Sequence, residues 1–248
     1  MKYAVLIYGL PDAFAGMSDL ERQAVYRGYM DLIGAPGVYG SEQLAPAATA
    51  TTVHRRAGEM LITDGPFAEM KEFFGGFYLL DVADREAALS FAARVPTARM
   101  GGAVEVRPIV QHGHLVPSRI ARSSSARKPS PTKEGTVKYA LLIYDDPAGW
   151  QGLSEDERNA VFGEYFAVNE SPGVYGGAQL QPVETATTVR VEDGRVVTTD
   201  GPFVEMKEFL GGYYLLEAEN LDAALQAAAR IPAARMGGAI EVRPIVER

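Results

Sequence analysis

Residues 64–73 read Asp64-Gly65-Pro66-Phe67-Ala68-Glu69-Met70-Lys71-Glu72-Phe73, and residues 200–209 read Asp200-Gly201-Pro202-Phe203-Val204-Glu205-Met206-Lys207-Glu208-Phe209. A glycine pair follows each, Gly75-Gly76 and Gly211-Gly212. A string that mixes charges, a proline and large apolar groups does not recur through composition alone, so the chain is a tandem duplication. From this landmark the match extends both ways. Residues 2–110 align with 138–246 at a constant offset of 136, without a gap, and more than half of the aligned positions are identical. The retained positions cluster in 36–53, 63–80 and 92–110, while 9–35, 54–62 and 81–91 have drifted.

Each repeat carries the same punctuation. Residues 2–8 (KYAVLIY) and 138–144 (KYALLIY) are near-continuous β-prone runs, the pattern of a strand covered on both faces. Ser18 with Glu21, and Ser154 with Glu157, form capping boxes that open a helix. Val25, Tyr29 and Leu32, and likewise Val161, Tyr165 and Val168, give that helix an apolar stripe. Pro36-Gly37 and Pro172-Gly173 stop it. A second strand follows, then a hairpin through Gly58 that delivers the chain to Asp64. Residues 76–82 read as another strand. Asp84 and Asn220 open a second helix, which ends before Pro96 and Pro232. Residues 103–109 (AVEVRPI) and 239–245 (AIEVRPI) alternate, with Val104 and Val106 on one face and Glu105 and Arg107 on the other.

The order β-α-β-(hairpin)-β-α-β predicts an α+β fold of two tandem ferredoxin-like (split β-α-β) units, each with an inserted hairpin. The boundaries expected are 1–111 for the first repeat, 112–136 for a flexible basic linker and 137–248 for the second repeat. Both helices of a unit cover one face of its sheet. The other face needs cover too, and the second repeat supplies it by pairing within the chain; a further homodimer is left open.

Composition removes several function classes. The net charge is −8, and the basic residues of 112–136 stand among serines and prolines, as in an ordinary tether. Acidic folded units disfavour direct nucleic-acid binding, which needs clustered Lys and Arg. The absence of cysteine excludes disulfides, thiolate catalysis and thiolate-held metal. No apolar run reaches membrane-spanning length and the start lacks a signal-peptide pattern, so the expectation is a cytoplasmic protein without a membrane partner. No P-loop, dinucleotide fingerprint, H-E-x-x-H or G-x-S-x-G occurs. His112-Gly113-His114 is a poor metal site, and no metal or cofactor is expected.

The string DGPFxEMKEFxGGxYLL, followed by AAR[VI]PxARMGGA[VI]EVRPIV, closely resembles the YCII-related family in its DGPF-motif branch. The match covers both repeats and omits the linker. The resemblance implies pairing through the sheets into a dimeric α+β barrel, here within one chain. It also implies a context near transcription regulators of the sigma-factor type. Some smaller relatives have been proposed to use a His–Asp pair; Asp64 and Asp200 are the positions onto which that aspartate carries over. No histidine is shared by the repeats, because His54 faces Arg190 while His112 and His114 lie in the linker.

The candidate catalytic residues are therefore Asp64 and Asp200, each read either as a carboxylate at a cleft mouth or as a turn cap before Gly-Pro. The candidate ligand-binding residues are Tyr8, Arg99, Glu105 and Arg107, with Tyr144, Arg235, Glu241 and Arg243. An arginine on the inner strand face suits a carboxylate or phosphate, and an Arg–Glu bridge between the repeats is the structural alternative. The retained charges Glu69, Lys71 and Glu72, with Glu205, Lys207 and Glu208, read as a solvated face or a docking surface. Two functions stay open: binding, with or without turnover, of an unidentified small polar or anionic molecule between the repeats, and a non-enzymatic interaction module acting near a transcription regulator.

Overall fold

The computed structural model describes residues 1–56, 58–67, 72–111, 135–204 and 207–247. Residues 112–134 of the expected linker, and Glu69, Lys71 and Glu205 of the retained string, lie outside them.

The first repeat runs β1 (Lys2–Gly9), α1 (Asp19–Ile33), β2 (Val38–Gln43), β3 (Thr51–Arg56), β4 (Glu59–Asp64), β5 (Phe73–Asp81), α2 (Arg85–Ala92) and β6 (Ala103–Pro108). The second repeats it with β7 (Val137–Asp145), α3 (Glu155–Asn169), β8 (Val174–Gln179), β9 (Thr187–Glu192), β10 (Arg195–Asp200), β11 (Phe209–Ala218), α4 (Leu221–Ala228) and β12 (Ala239–Pro244). The caps form where expected: Ser18–Glu21 and Ser154–Glu157 are complete capping boxes, and Asp84 and Asn220 each accept from the backbone N–H three residues on. Pro96 and Pro232 start short 3-10 turns after the second helices.

The hairpins change sides. One sheet has the strand order β10-β9-β6-β1-β5-β2 and the other β4-β3-β12-β7-β11-β8. Each therefore holds four strands of one repeat and the inserted hairpin of the other. In register, Val104 and Val106 of β6 face Val189 and Thr187 of β9, while Ile240 and Val242 of β12 face Val53 and Thr51 of β3. The two sheets are stitched at both seams. On one side Ala45 N–H donates to the Pro244 carbonyl (2.9 Å) and Val246 N–H to Gln43 (2.8 Å). On the other, Val110 N–H donates to Gln179 (2.9 Å) and Gln181 N–H to Pro108 (2.8 Å). The result is a barrel-like pseudo-dimer of two ferredoxin-like units with helices outside.

Three apolar clusters follow from this layering. Outside the first sheet, α1 and α2 cover Tyr3, Val5, Tyr78, Val104 and Val106, and Val189 from the exchanged hairpin joins them. Outside the second sheet, Val53 from the first repeat plays the same part. The third cluster fills the interior with Leu6, Tyr8, Phe74 and Phe77 of one repeat and Leu142, Tyr144, Leu210 and Tyr213 of the other. Each fully buried side chain of this size contributes about 1.5–3 kcal/mol through loss of apolar surface to water. The interior thus holds the repeats together through side chains of both. Among the described residues no helix is long and apolar enough to cross a membrane.

Candidate functional site

The alternation of β6 and β12 sends Glu105, Arg107, Glu241 and Arg243 into the interior, where each is at most 2% exposed. Four buried charges among aromatic rings demand partners, because an uncompensated buried charge costs several kcal/mol. The first partner is local. Arg107 Nη2 donates to Glu105 Oε1 two residues away on the same face, and Arg243 Nη2 donates to Glu241 Oε1. The ion pair is therefore within a strand, and no Arg–Glu bridge between the repeats is seen among the described residues.

The remaining bonds cross between repeats and involve the retained string. Glu105 Oε2 accepts from the Phe203 N–H at 3.0 Å, and Arg107 Nη1 donates to the Leu210 carbonyl at 2.5 Å. In mirror fashion Glu241 Oε2 accepts from the Phe67 N–H at 3.0 Å, and Arg243 Nη1 donates to the Phe74 carbonyl at 2.5 Å. The turn that places those N–H groups depends on glycine: Gly65 and Gly201 adopt φ of 100° and 103°, a left-handed region closed to most side chains. Thr52 and Thr188 Oγ1 donate to the Gly65 and Gly201 carbonyls at 3.0 and 3.1 Å, fixing the turn to its hairpin. The phenylalanine rings then pack across the interface, Phe203 against Tyr8 (5.3 Å between centroids) and Phe67 against Tyr144 (5.1 Å). The Arg190 guanidinium lies 5.0 Å from the Phe203 ring centroid, a cation–π contact.

What remains open is a cavity of about 20 Å³ lined by Tyr8, Glu105, Arg107, Tyr144, Val183, Val204, Phe209 and Leu210. It has room for about one water. Arg107 Nε, like Arg243 Nε, is buried without a hydrogen-bond partner. Burial holds the Tyr8 phenol far above its usual range, with the Glu105 charge adding to the effect and Arg107 opposing it. Tyr144 is raised in the same direction, first by burial and then by Glu241. Both phenols are neutral hydrogen-bonding groups, not bases, at any physiological pH.

Of the residues singled out from the sequence, Tyr8, Glu105, Arg107 and Tyr144 meet at this cavity, and Glu241 and Arg243 form the matching pair. Four others do not join them. Asp64 and Asp200 stand exposed at the ends of β4 and β10, and Asp200 pairs with Arg85 at 2.7 Å. They are not at the mouth of the cavity, because the strand ends before the turn carries the chain inward. Arg99 and Arg235 are exposed in the 3-10 turns on the helix side, where Arg235 pairs with Glu164 at 2.7 Å. Lys207 reaches Asp146 at 2.9 Å and is 69% exposed. Sequence reasoning missed the role of Phe67 and Phe203, although their identity in both repeats was the available signal. It also missed Asp145, described below, because that residue replaces Gly9.

A model of the YCII-related domain matches residues 1–112 and again 137–248. The uncharacterized protein R00369 of Rhizobium meliloti (strain 1021) is 38% identical over 117 residues, which is 44% of this chain and 92% of that protein. Among solved structures, two variants of the chlorite dismutase from Candidatus Nitrospira defluvii align over 99% and 98% of this chain. They are covered to 91% and 90%, at 10% identity, with TM-scores of 0.46 and 0.43.

Proposed function

Both repeats belong to the YCII-related domain family, and we propose that the chain binds a small anionic or polar molecule at the Arg107 cavity between them. One observation carries this reading: Arg107 is buried beside the cavity with its Nε–H unpartnered, although Glu105 and Leu210 occupy its other nitrogens. A buried guanidinium N–H without an acceptor costs about 1–3 kcal/mol, which a ligand oxygen would recover. Tyr8 and Tyr144, both neutral, flank the same space as hydroxyl donors. The cavity admits a water-sized occupant, so a ligand of several heavy atoms requires lining side chains to move aside. Asp64 and Asp200 have no part in this reading, and neither turnover nor a cofactor is needed for it.

The test is a thermal-shift screen with formate, nitrate, bicarbonate and phosphate on the wild type and on the Tyr8→Phe/Tyr144→Phe variant, which keeps the shape and removes both hydroxyls. A ligand at 100 times its dissociation constant stabilises by about 2.7 kcal/mol, a shift of about 5–10 °C for a chain of this size. A shift in the wild type that is lost in the variant supports the reading. Equal shifts in both place binding elsewhere.

A second reading, an interaction module, is favoured by a different observation. The exchanged hairpins end in exposed edge strands carrying Met60, Leu61 and Ile62 in β4 and Val196 and Val197 in β10. Exposed aliphatic edges template pairing with another chain, and pairing of the pseudo-dimer with a second copy would be read as a doubled mass in size-exclusion chromatography with light scattering.

A further inference from the structure

The two repeats differ in chemistry most sharply at the end of their first strands. Gly9 of β1 corresponds to Asp145 of β7, Leu10 to Asp146 and Phe14 to Trp150. Asp145 is half-buried on the helix side of β7, the face opposite Tyr144. Its carboxyl lies against the backbone of Gly211, where a Cβ would overlap Oδ2. Gly211 is the bulge of β11, at which the register with β7 shifts between Leu210 and Gly212. The residue before it, Leu210, supplies the carbonyl that receives Arg107 Nη1. In the first repeat the equivalent seat beside Gly9 is filled by the apolar Phe73 ring, 3.3 Å from where a Gly9 Cβ would stand. There the Phe74 carbonyl receives Arg243, and Gly9 stands in the place of Asp145.

The surroundings of Asp145 are poor in compensation. From α3, the Tyr165 hydroxyl donates to Oδ1 at 3.4 Å, a long bond. The Trp150 indole also favours the charged form of the carboxyl. From β11 the neighbour is an uncharged glycine. Lys207 is taken by the neighbouring Asp146 at 2.9 Å and lies 3.7 Å from Glu208. Arg235 is engaged with Glu164. Desolvation outweighs Tyr165 and Trp150 and pushes the carboxyl up to about 6.

We propose that Asp145 is a protonation-dependent positioning residue for the Arg107 half of the interior. As the neutral acid it seats against Gly211 and fixes the bulge that aims the Leu210 carbonyl at Arg107. As the carboxylate it draws toward water, and the bulge loosens. The Arg243 half, with Gly9 and Phe73 in the matching places, has no such group and does not respond. The device makes the pseudo-symmetric interior chemically unequal: one half is sensitive to mild acid and the other is not.

The chain has a single tryptophan, and it touches the group in question. Trp150 emission followed from pH 4.5 to 8 is expected to titrate with a midpoint near 6, and the step vanishes in Asp145→Asn. Hydrogen exchange on the same two proteins supplies the positioning readout. Segment 209–212 exchanges faster above the midpoint than its counterpart 73–76, after correction for intrinsic rates, and the difference disappears in Asp145→Asn. A fluorescence step that persists in Asp145→Asn overturns the assignment, and so does equal response of the two segments. These readouts need no ligand. Only the corollary that anion binding follows the same midpoint rests on the proposed function, so failure of that reading and failure of the positioning role are separable.

Discussion

Glu105→Gln removes one charge from the interior and little else. The side chain is 1% exposed and spans two repeats: it accepts from Arg107 on its own strand and from the Phe203 N–H across the interface. Glutamine keeps the volume and one acceptor oxygen, so the Phe203 bond can survive. The Arg107 guanidinium, 2% exposed, is left without a counter-charge. Breaking a buried pair in this way costs about 3–5 kcal/mol, a large share of the roughly 5–15 kcal/mol that holds an ordinary domain folded. Urea unfolding followed by circular dichroism is the assay, read as a fall in midpoint at unchanged slope. Glu241→Gln removes the matching charge and is expected to cost the same. The double replacement Glu105→Met/Arg107→Met removes both charges and is expected to recover only part of the loss: an apolar pair substitutes for the buried ion pair, but the Phe203 N–H and the Leu210 carbonyl lose their partners at about 1–3 kcal/mol each. A Glu105→Gln loss below about 1 kcal/mol would refute the reasoning, since it would mean that Arg107 is solvated.

Phe203→Ala removes the ring between Tyr8 and Arg190 and is expected to cost about 2–4 kcal/mol by the same unfolding assay, below the roughly 3–5 kcal/mol of a fully buried phenylalanine because this ring is half-buried. Gly211→Ala forces a Cβ onto the Asp145 carboxyl and is expected to cost about 1–3 kcal/mol; adding Asp145→Gly, the residue pattern of the first repeat, recovers part of it. Asp145→Asn should stabilise the protein at pH 8. A carboxyl raised to about 6 from 3.8 in the fold penalises folding fully above pH 6, and the penalty is lifted as pH falls through 6 toward 4. The shift converts to about 3 kcal/mol as an upper bound for this half-buried group, and a gain that does not shrink between pH 8 and pH 4.5 would contradict it.

Much of this architecture is written in local patterns. The capping boxes, the stop signals and the clean alternation of residues 103–107 place the helices and the inward face correctly, because each depends on neighbours in sequence. The inward face proved buried although it carries Glu105 and Arg107, because the second repeat covers it, as the need for cover on that sheet face required. The exchange of hairpins was not legible. Thr51–Val53 and Thr187–Val189 are identical, so either hairpin fits either sheet edge, and the choice rests on the path of the chain around the barrel. The retained string drew attention to its charges and its aspartate, the groups that look chemical. Its work among the described residues is done by a glycine conformation, a phenylalanine N–H and a phenylalanine ring. Asp145 escaped notice for the opposite reason: comparing repeats favours what they share, and this group lies where they differ.

The hairpin exchange carries Phe203 to Glu105 and Phe67 to Glu241, and so builds the bonds that cross the interior. A chain without cysteine allows a direct test by cross-linking. Val53 lies opposite Ile240 of the other repeat, and an exchange-free fold would put it opposite Val104 instead, as Val189 is now. Paired residues across an antiparallel ladder have Cα atoms about 4.5–5.5 Å apart, within disulfide reach. Under mild oxidation Val53→Cys/Ile240→Cys should close an intramolecular disulfide, read by mass and gel mobility, while Val53→Cys/Val104→Cys stays reduced. The reverse outcome, a 53–104 bond with 53–240 open, would show two self-contained repeats and contradict the interlocked interior.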